Sequence, residues 1–281
     1  MSWTLRYAPH LGFRSLDVPL FLASVGSADP VAQIEFVASL GFAGVQDPWF
    51  ATRPEAVQLR IASALSDFGL AAGCVVYGTP TSIRTPMWNT PGPAARANLE
   101  EEFRRAKAAA RRIRTDQIAV LTADDPSIPR ERQIETMISN LRWAAEVAAS
   151  EGLTLCLEPT NARTVTGMLL AHFGDGCQIA RATGHAAVRM IFDTAHIQSM
   201  DGDLIGNLER NWDLIEIVQI ANHPARLEPE VGEINMPPIL RKVRELGYDG
   251  LVELEHLWST SEPATEQRGI EWLRRVDETL V

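Results

Sequence analysis

Leu153-Thr154-Leu155-Cys156-Leu157-Glu158-Pro159 is a short apolar run that ends in an acid and a proline. The chain on either side repeats that design. Arg130–Ser150 before it reads as an amphipathic helix; after it, a helix near His172–Thr183 leads to another apolar run, Val188–Asp193. Short strand-like runs separated by helical segments mark a parallel sheet whose crossovers are helices.

Towards the N-terminus the alternation predicts strands at about Leu5–Leu11, Ala43–Gln46, Leu70–Tyr77 and Asp116–Leu121. Helices fall between them at Val31–Leu40, Pro54–Phe68 and Ala94–Ile113. Asp29-Pro30 supplies an N-cap and a first-turn proline, and Gly41 and Gly69 close two of the helices. Towards the C-terminus, strands at Ile215–Ile220 and Gly250–Glu255 alternate with helices near Leu204–Trp212, Asn235–Leu246 and Glu262–Leu280. Eight strand–helix pairs with short returns predict an α/β fold, a closed (β/α)8 barrel, as a single domain over residues 1–281. Such a barrel needs about 250 residues. No glycine-rich phosphate loop follows an early strand, which counts against a nucleotide-binding open sheet.

Residues 78–93 break the rhythm, with Gly78, Pro80, Pro86, Pro91, Gly92 and Pro93 forbidding regular structure. Trp88 among them has two readings: part of a lid over a pocket that binds substrate, or a ring packed on a neighbouring helix. Composition narrows the partners. The formal charge of −10 argues against a nucleic-acid backbone. The basic stretch from Arg104 to Arg114 lies on a helical pattern and reads as a solvated face. The N-terminus lacks a signal-peptide pattern and no apolar run is long enough for a membrane span, so the expectation is a cytoplasmic protein. Cys74, Cys156 and Cys177 show no CxxC spacing and read as buried small side chains.

The last four strands share a feature: each carries an oxygen-bearing side chain at its end, Glu158, Asp193, Gln219 and Glu255. In a barrel the C-terminal strand ends converge on the active-site face. Three carboxylates meeting there repel unless a cation sits among them, although an acid ending a strand can equally be a helix N-cap. An all-oxygen set suits Mg²⁺ or Mn²⁺ better than Zn²⁺.

Glu158-Pro159-Thr160-Asn161, Phe192-Asp193-Thr194-Ala195-His196, Val218-Gln219-Ile220-Ala221, Gly232-Glu233-Ile234-Asn235 and Gly247-Tyr248-Asp249-Gly250-Leu251-Val252-Glu253-Leu254-Glu255 resemble motifs of hydroxypyruvate isomerases. These belong to the xylose-isomerase-like TIM-barrel superfamily, which also holds sugar 3-epimerases and apurinic endonucleases. The resemblance is dense from about residue 153 to 255. It implies Glu158, Asp193, Gln219 and Glu255 as metal ligands, with Glu158 and Glu255 also moving protons. It implies His196, Arg226 and Arg163 as substrate contacts. By residue type alone, His196 could be a structural strand-end histidine, and Arg226 could pair with Glu228 or Glu230. The family's tendency to associate implies a homodimer or tetramer.

The chemistry is coherent without the family. Isomerising an α-hydroxy carbonyl removes a proton beside the carbonyl, a cation steadies the enediolate, and paired carboxylates take and return the proton. The expected activity is therefore metal-dependent isomerisation or epimerisation of a small sugar or keto acid. A dehydratase on the same site and a non-catalytic carbohydrate-binding barrel are the alternatives. An apurinic endonuclease would need more histidines at strand ends. Departures from the family pattern fall on the substrate face: Gln46-Asp47 where a glutamate is common, no histidine in Val75-Val76-Tyr77-Gly78, and His256-Leu257-Trp258 without the usual polar residue or lysine.

Overall fold

The structure, a computed structural model, describes residues 3–280. The strands are β1 (Arg6–Pro9), β2 (Gly44–Val45), β3 (Ala71–Ala72), β4 (Val75–Val76), β5 (Gln117–Val120), β6 (Thr154–Leu157), β7 (Val188–Asp193), β8 (Ile215–Ile220) and β9 (Leu251–Leu254). Seven of them form one parallel sheet in the order β1-β9-β8-β7-β6-β5-β4, and β2 pairs with β3. Backbone bonds close the ring. Ala43 N and Gln46 N donate to Tyr7 O and Pro9 O at 3.1 and 2.9 Å, and Gly73 N donates to Val45 O at 2.8 Å. The fold is a TIM barrel whose third stave is split into β3 and β4.

That split departs from the continuous strand expected over Leu70–Tyr77, and its cause is chemical. The backbone N–H of Cys74 donates to the carboxylate of Glu253 at 2.8 Å instead of extending the strand ladder. A side chain on Gly73 would place its Cβ 2.3 Å from Glu253 Oε1, so the barrel wall is thinned there to admit the carboxylate.

The outer layer follows the predicted helices. Its helices are α1 (Leu22–Val25), α2 (Pro30–Ser39), α3 (Glu55–Phe68), α4 (Pro93–Ile113), α5 (Arg130–Ser150), α6 (Phe173–Thr183), α8 (Leu204–Asn211), α9 (Met236–Glu245) and α10 (Pro263–Asp277). An additional helix, α7 (Thr194–Met200), starts directly on the end of β7. Among the described residues no helix is long and apolar enough to cross a membrane.

Residues 78–92 are irregular apart from a single turn at Ser82–Arg84, and Pro93 opens α4. Trp88 in this loop is fully buried, edge-on to Tyr77 and Phe103 with centroids 5.5 and 6.5 Å away. Its backbone is pinned by Thr122 Oγ1 and Asn140 Nδ2 at 3.3 and 2.8 Å. Of its two sequence readings the packed one describes the structure: the indole lies edge-on to Tyr77 and to Phe103 of α4 and does not line the cavity.

Candidate active site

A cavity of about 480 Å³ opens at the C-terminal ends of the staves. Its floor carries Glu158, His196, Arg226 and Glu255; Phe13, Trp49 and Ile83 supply apolar wall. Strand register builds the floor. Asp193, Gln219 and Glu253 are in-register partners across β7, β8 and β9 and so form one rung of the barrel interior. Glu255 lies two residues beyond Glu253 and returns to the same face one layer higher. Glu158 follows the last residue of β6, where its backbone N–H donates to Val120 O at 3.1 Å.

Asp193 does two jobs. Its Oδ1 caps α7 by accepting from His196 N at 2.8 Å, and its Oδ2 accepts from Arg226 Nη2 at 2.6 Å. The same Arg226 nitrogen bonds Glu255 Oε2, while Gln46 Nε2 reaches Glu255 Oε1 at 3.3 Å. Arg226 therefore bridges the acids of β7 and β9 rather than pairing with Glu228, whose carboxylate holds Ser259. Its aim is set by the backbone: Arg226 sits at φ 56 in the left-handed region, and Leu257 N donates to its carbonyl at 2.8 Å. A non-glycine residue held there costs about 1–2 kcal/mol, which the surrounding bonds offset.

His196 is oriented without ambiguity. Its Nδ1 accepts from the backbone N of Asn161 at 3.2 Å and from Asn161 Nδ2 at 2.7 Å. The Asn161 amide is itself fixed, because its Oδ1 accepts from Thr164 N at 3.0 Å. The neutral ring must then carry its proton on Nε2, which points towards Glu158 Oε1 at 3.9 Å. Burial lowers His196 to about 4, so it stays neutral.

The electrostatics are those of crowded acids. Burial, reinforced by Glu255 and Asp193, pushes Glu158 well above the usual carboxylate range. Among the described residues no protein donor hydrogen-bonds its carboxylate. Burial also raises Glu255, with Arg226 pulling the other way. Asp193 is buried too, but Arg226 and the His196 N–H hold it below the ordinary value. Glu253 is pushed up to about 7 by burial, against hydrogen bonds from Gln219 and Cys74.

The donors suit a hard cation. Oxygen and nitrogen atoms of Glu158, Asp193 and His196 lie within 4.8 Å of one another. Gln219 Oε1 is buried with no hydrogen-bond partner, an oxygen left for something other than the protein. Because Nε2 of His196 offers an N–H and not a lone pair, it would serve a cation less well than the carboxylates of Glu158 and Asp193 beside it.

Of the residues singled out in the sequence, Glu158, His196, Arg226 and Glu255 line this mouth, while Asp193 and Gln219 are buried in the rung beneath it, Asp193 bonded to Arg226. Arg163 is exposed and does not line the cavity, because its loop turns outward after Asn161. Trp88 is buried behind the wall. Residues not singled out also take part: Arg14 and Arg84 at the rim, and Glu253 and Gln46 beneath. The two-residue strand period was a usable signal for Glu253, since Glu255 facing inward places Glu253 inward as well.

Known proteins agree with this architecture. The family described as "Xylose isomerase-like TIM barrel" matches residues 34–276. A 2-oxo-tetronate isomerase of Cupriavidus necator is 36 % identical over 188 residues, 65 % of this chain and 71 % of that one. A putative hydroxypyruvate isomerase of Homo sapiens is 31 % identical over 254 residues, 86 % and 88 % of the two chains. The crystal structure of a family 2 AP endonuclease from Brucella melitensis aligns with TM-score 0.78 at 24 % identity, over 93 % of this chain and 96 % of that chain, a likeness of fold.

Proposed function

The chain belongs to the xylose isomerase-like TIM-barrel family, and from that premise we propose that it is a metal-dependent isomerase or epimerase of a small α-hydroxy-carbonyl compound. The observation that carries the reading is the floor of the cavity: three crowded carboxylates with a single guanidinium among them, beside an unpartnered amide oxygen. Glu158, Asp193, Gln219 and Glu255 would hold a divalent cation, Mg²⁺ or Mn²⁺ by the all-oxygen chemistry. When bound, the cation supplies Lewis-acid stabilisation of negative charge on two adjacent substrate oxygens.

The chain's own residues do the rest. Glu158 and Glu255 enter from staves three apart, and burial raises both above the ordinary carboxylate value, favouring the protonated form that an acid–base group must be able to reach. One takes the proton from the carbon beside the carbonyl and the other returns it to the neighbouring carbon or to the opposite face. His196 donates through Nε2–H to a substrate oxygen, and Arg226 stands beside it as a second donor. Arg14 and Arg84 at the rim are exposed and make no ion pair among the described residues. Their free charge favours a keto acid over a neutral sugar, in keeping with the names of the two isomerases above. A homodimer or homotetramer is the assembly that the family resemblance implies.

The test is deuterium uptake from D2O into hydroxypyruvate, 2-oxo-tetronate and neutral ketoses with Mn²⁺ present, followed by NMR. Wild type should exchange the proton beside the carbonyl of a keto acid, and Glu158→Gln and Glu255→Gln should each lose about 10²-fold or more. Unchanged exchange in both variants would refute the acid–base assignment.

A further inference from the structure

Glu253 has no part in the acid–base reading, yet it is a wholly buried carboxylate at the heart of the barrel. Burying an acid without a role costs several kcal/mol, and the surrounding structure is shaped to receive this one. Its Oε1 accepts from Cys74 N at 2.8 Å, and its Oε2 accepts from Gln219 Nε2 at 2.9 Å. Gly73 leaves the space it occupies, and the third stave gives up its continuity there. On the far side of the Gln219 amide, Oε1 is buried and unpartnered.

We propose that Glu253 is a positioning residue, which grips the NH2 end of the Gln219 amide so that Oε1 is turned to the cation site as a neutral ligand. The inference rests on the metal reading above. A primary amide has two ends of nearly equal size, and only the oxygen can face a cation. A carboxylate that accepts hydrogen bonds leaves the amide one favourable orientation. Glu158, Asp193 and Glu255 against Arg226 and one divalent cation already balance, so a neutral amide as the fourth ligand adds no negative charge beyond that of Glu253 itself. Partners that orient metal ligands typically change affinity by about 10–100-fold when mutated.

The experiment is calorimetric titration with Mn²⁺, at mildly alkaline pH, of metal-free wild type, Glu253→Gln and the double variant Glu253→Gln/Gln219→Glu. Thermal unfolding serves as the control for folding. In Glu253→Gln the Cys74 N–H still demands an oxygen, so the new NH2 faces Gln219. Gln219 must then rotate and present its own NH2 to the cation. The expected result is a Kd at least about tenfold weaker. In the double variant the glutamine at 253 donates to one oxygen of the glutamate at 219, whose other oxygen faces the cation, and affinity should return to near the wild-type value. A merely structural role for Glu253 predicts no such rescue.

Unchanged affinity in Glu253→Gln overturns the inference, as does a folded double variant that binds no better than the single one. A double variant that fails to fold also overturns it, because the swap conserves every bond invoked. If Glu253→Gln alone fails to fold, the double variant decides. Wild type that binds no Mn²⁺ overturns the metal reading and this inference together, whereas tight binding in wild type and Glu253→Gln alike overturns the inference only.

Discussion

Gly73→Ala should destabilise the protein, although backbone considerations alone predict the opposite. Gly73 is not among the glycines held at positive φ. Alanine at such a position ordinarily stabilises by about 0.4–1 kcal/mol through the unfolded chain. Here the new methyl would stand 2.3 Å from Glu253 Oε1, 3.2 Å from its Cδ and 3.3 Å from Gln46 Cα. The carboxylate cannot swing clear without breaking its bonds to Cys74 N and Gln219 Nε2. Hydrogen bonds to a charged group contribute about 1.5–3 kcal/mol each. With the backbone gain subtracted, the net cost is about 2–5 kcal/mol. Urea unfolding of four proteins reads it out: wild type, Gly73→Ala, Glu253→Ala and the double variant. In the Glu253→Ala background the methyl has lost its nearest obstacle and keeps only the 3.3 Å approach to Gln46 Cα, so Gly73→Ala should cost much less than in the wild-type background. A cost under about 1 kcal/mol in the wild-type background, or the same cost in both, would refute the account of why the third stave is broken.

Three further perturbations probe other parts of the structure. Asp47 and Arg53 form a buried pair, with Arg53 Nε 2.6 Å from Asp47 Oδ2, and Arg53→Met should cost about 3–5 kcal/mol near neutral pH by stranding the carboxylate. Burial already raises Asp47 and Arg53 opposes it, so without the arginine the folded state binds the proton still more readily than the unfolded chain. Stability of this variant must then fall as pH rises through the interval between the two values and recover on acidification; a deficit independent of pH in urea melts would contradict the assignment. Arg226→Gln frees Asp193 and Glu255 of their guanidinium; Mn²⁺ should bind more tightly by calorimetry while kcat falls, and weaker binding would show that the arginine supports the cation instead of competing with it. Replacing Arg14 and Arg84 together by alanine should raise KM for a keto acid by about tenfold or more, about 1.4 kcal/mol, with little change for a neutral ketose. Equal effects on both substrate classes would remove the case for an acidic substrate.

The barrel was legible because each stave is a short apolar run and each crossover has the helical period, and the site because four staves end in an oxygen-bearing side chain. Asp193 illustrates how close the modest and the functional readings lie: it caps α7 with one oxygen and faces the site with the other. What the sequence hid depends on contacts between distant segments. Trp88 looked like a loop residue over a pocket because its partners Tyr77 and Phe103 lie on a strand end and on α4. Arg163 follows Asn161 closely, but the turn that locks Asn161 onto His196 sends the next residues into solvent. The break in the third stave has no local cause, since the group that diverts the Cys74 N–H lies 179 residues away in the chain. Glu253 itself was within reach of strand periodicity.

The central claim is that the carboxylates of β6, β7 and β9 and the amide of β8 enclose one divalent cation. Its most direct test is metal analysis of EDTA-treated protein titrated with Mn²⁺, with Tm followed alongside. About one equivalent bound, a Tm that falls on chelation and recovers on addition, and loss of both in Asp193→Asn are the results this account predicts. No binding and no shift in Tm would contradict it.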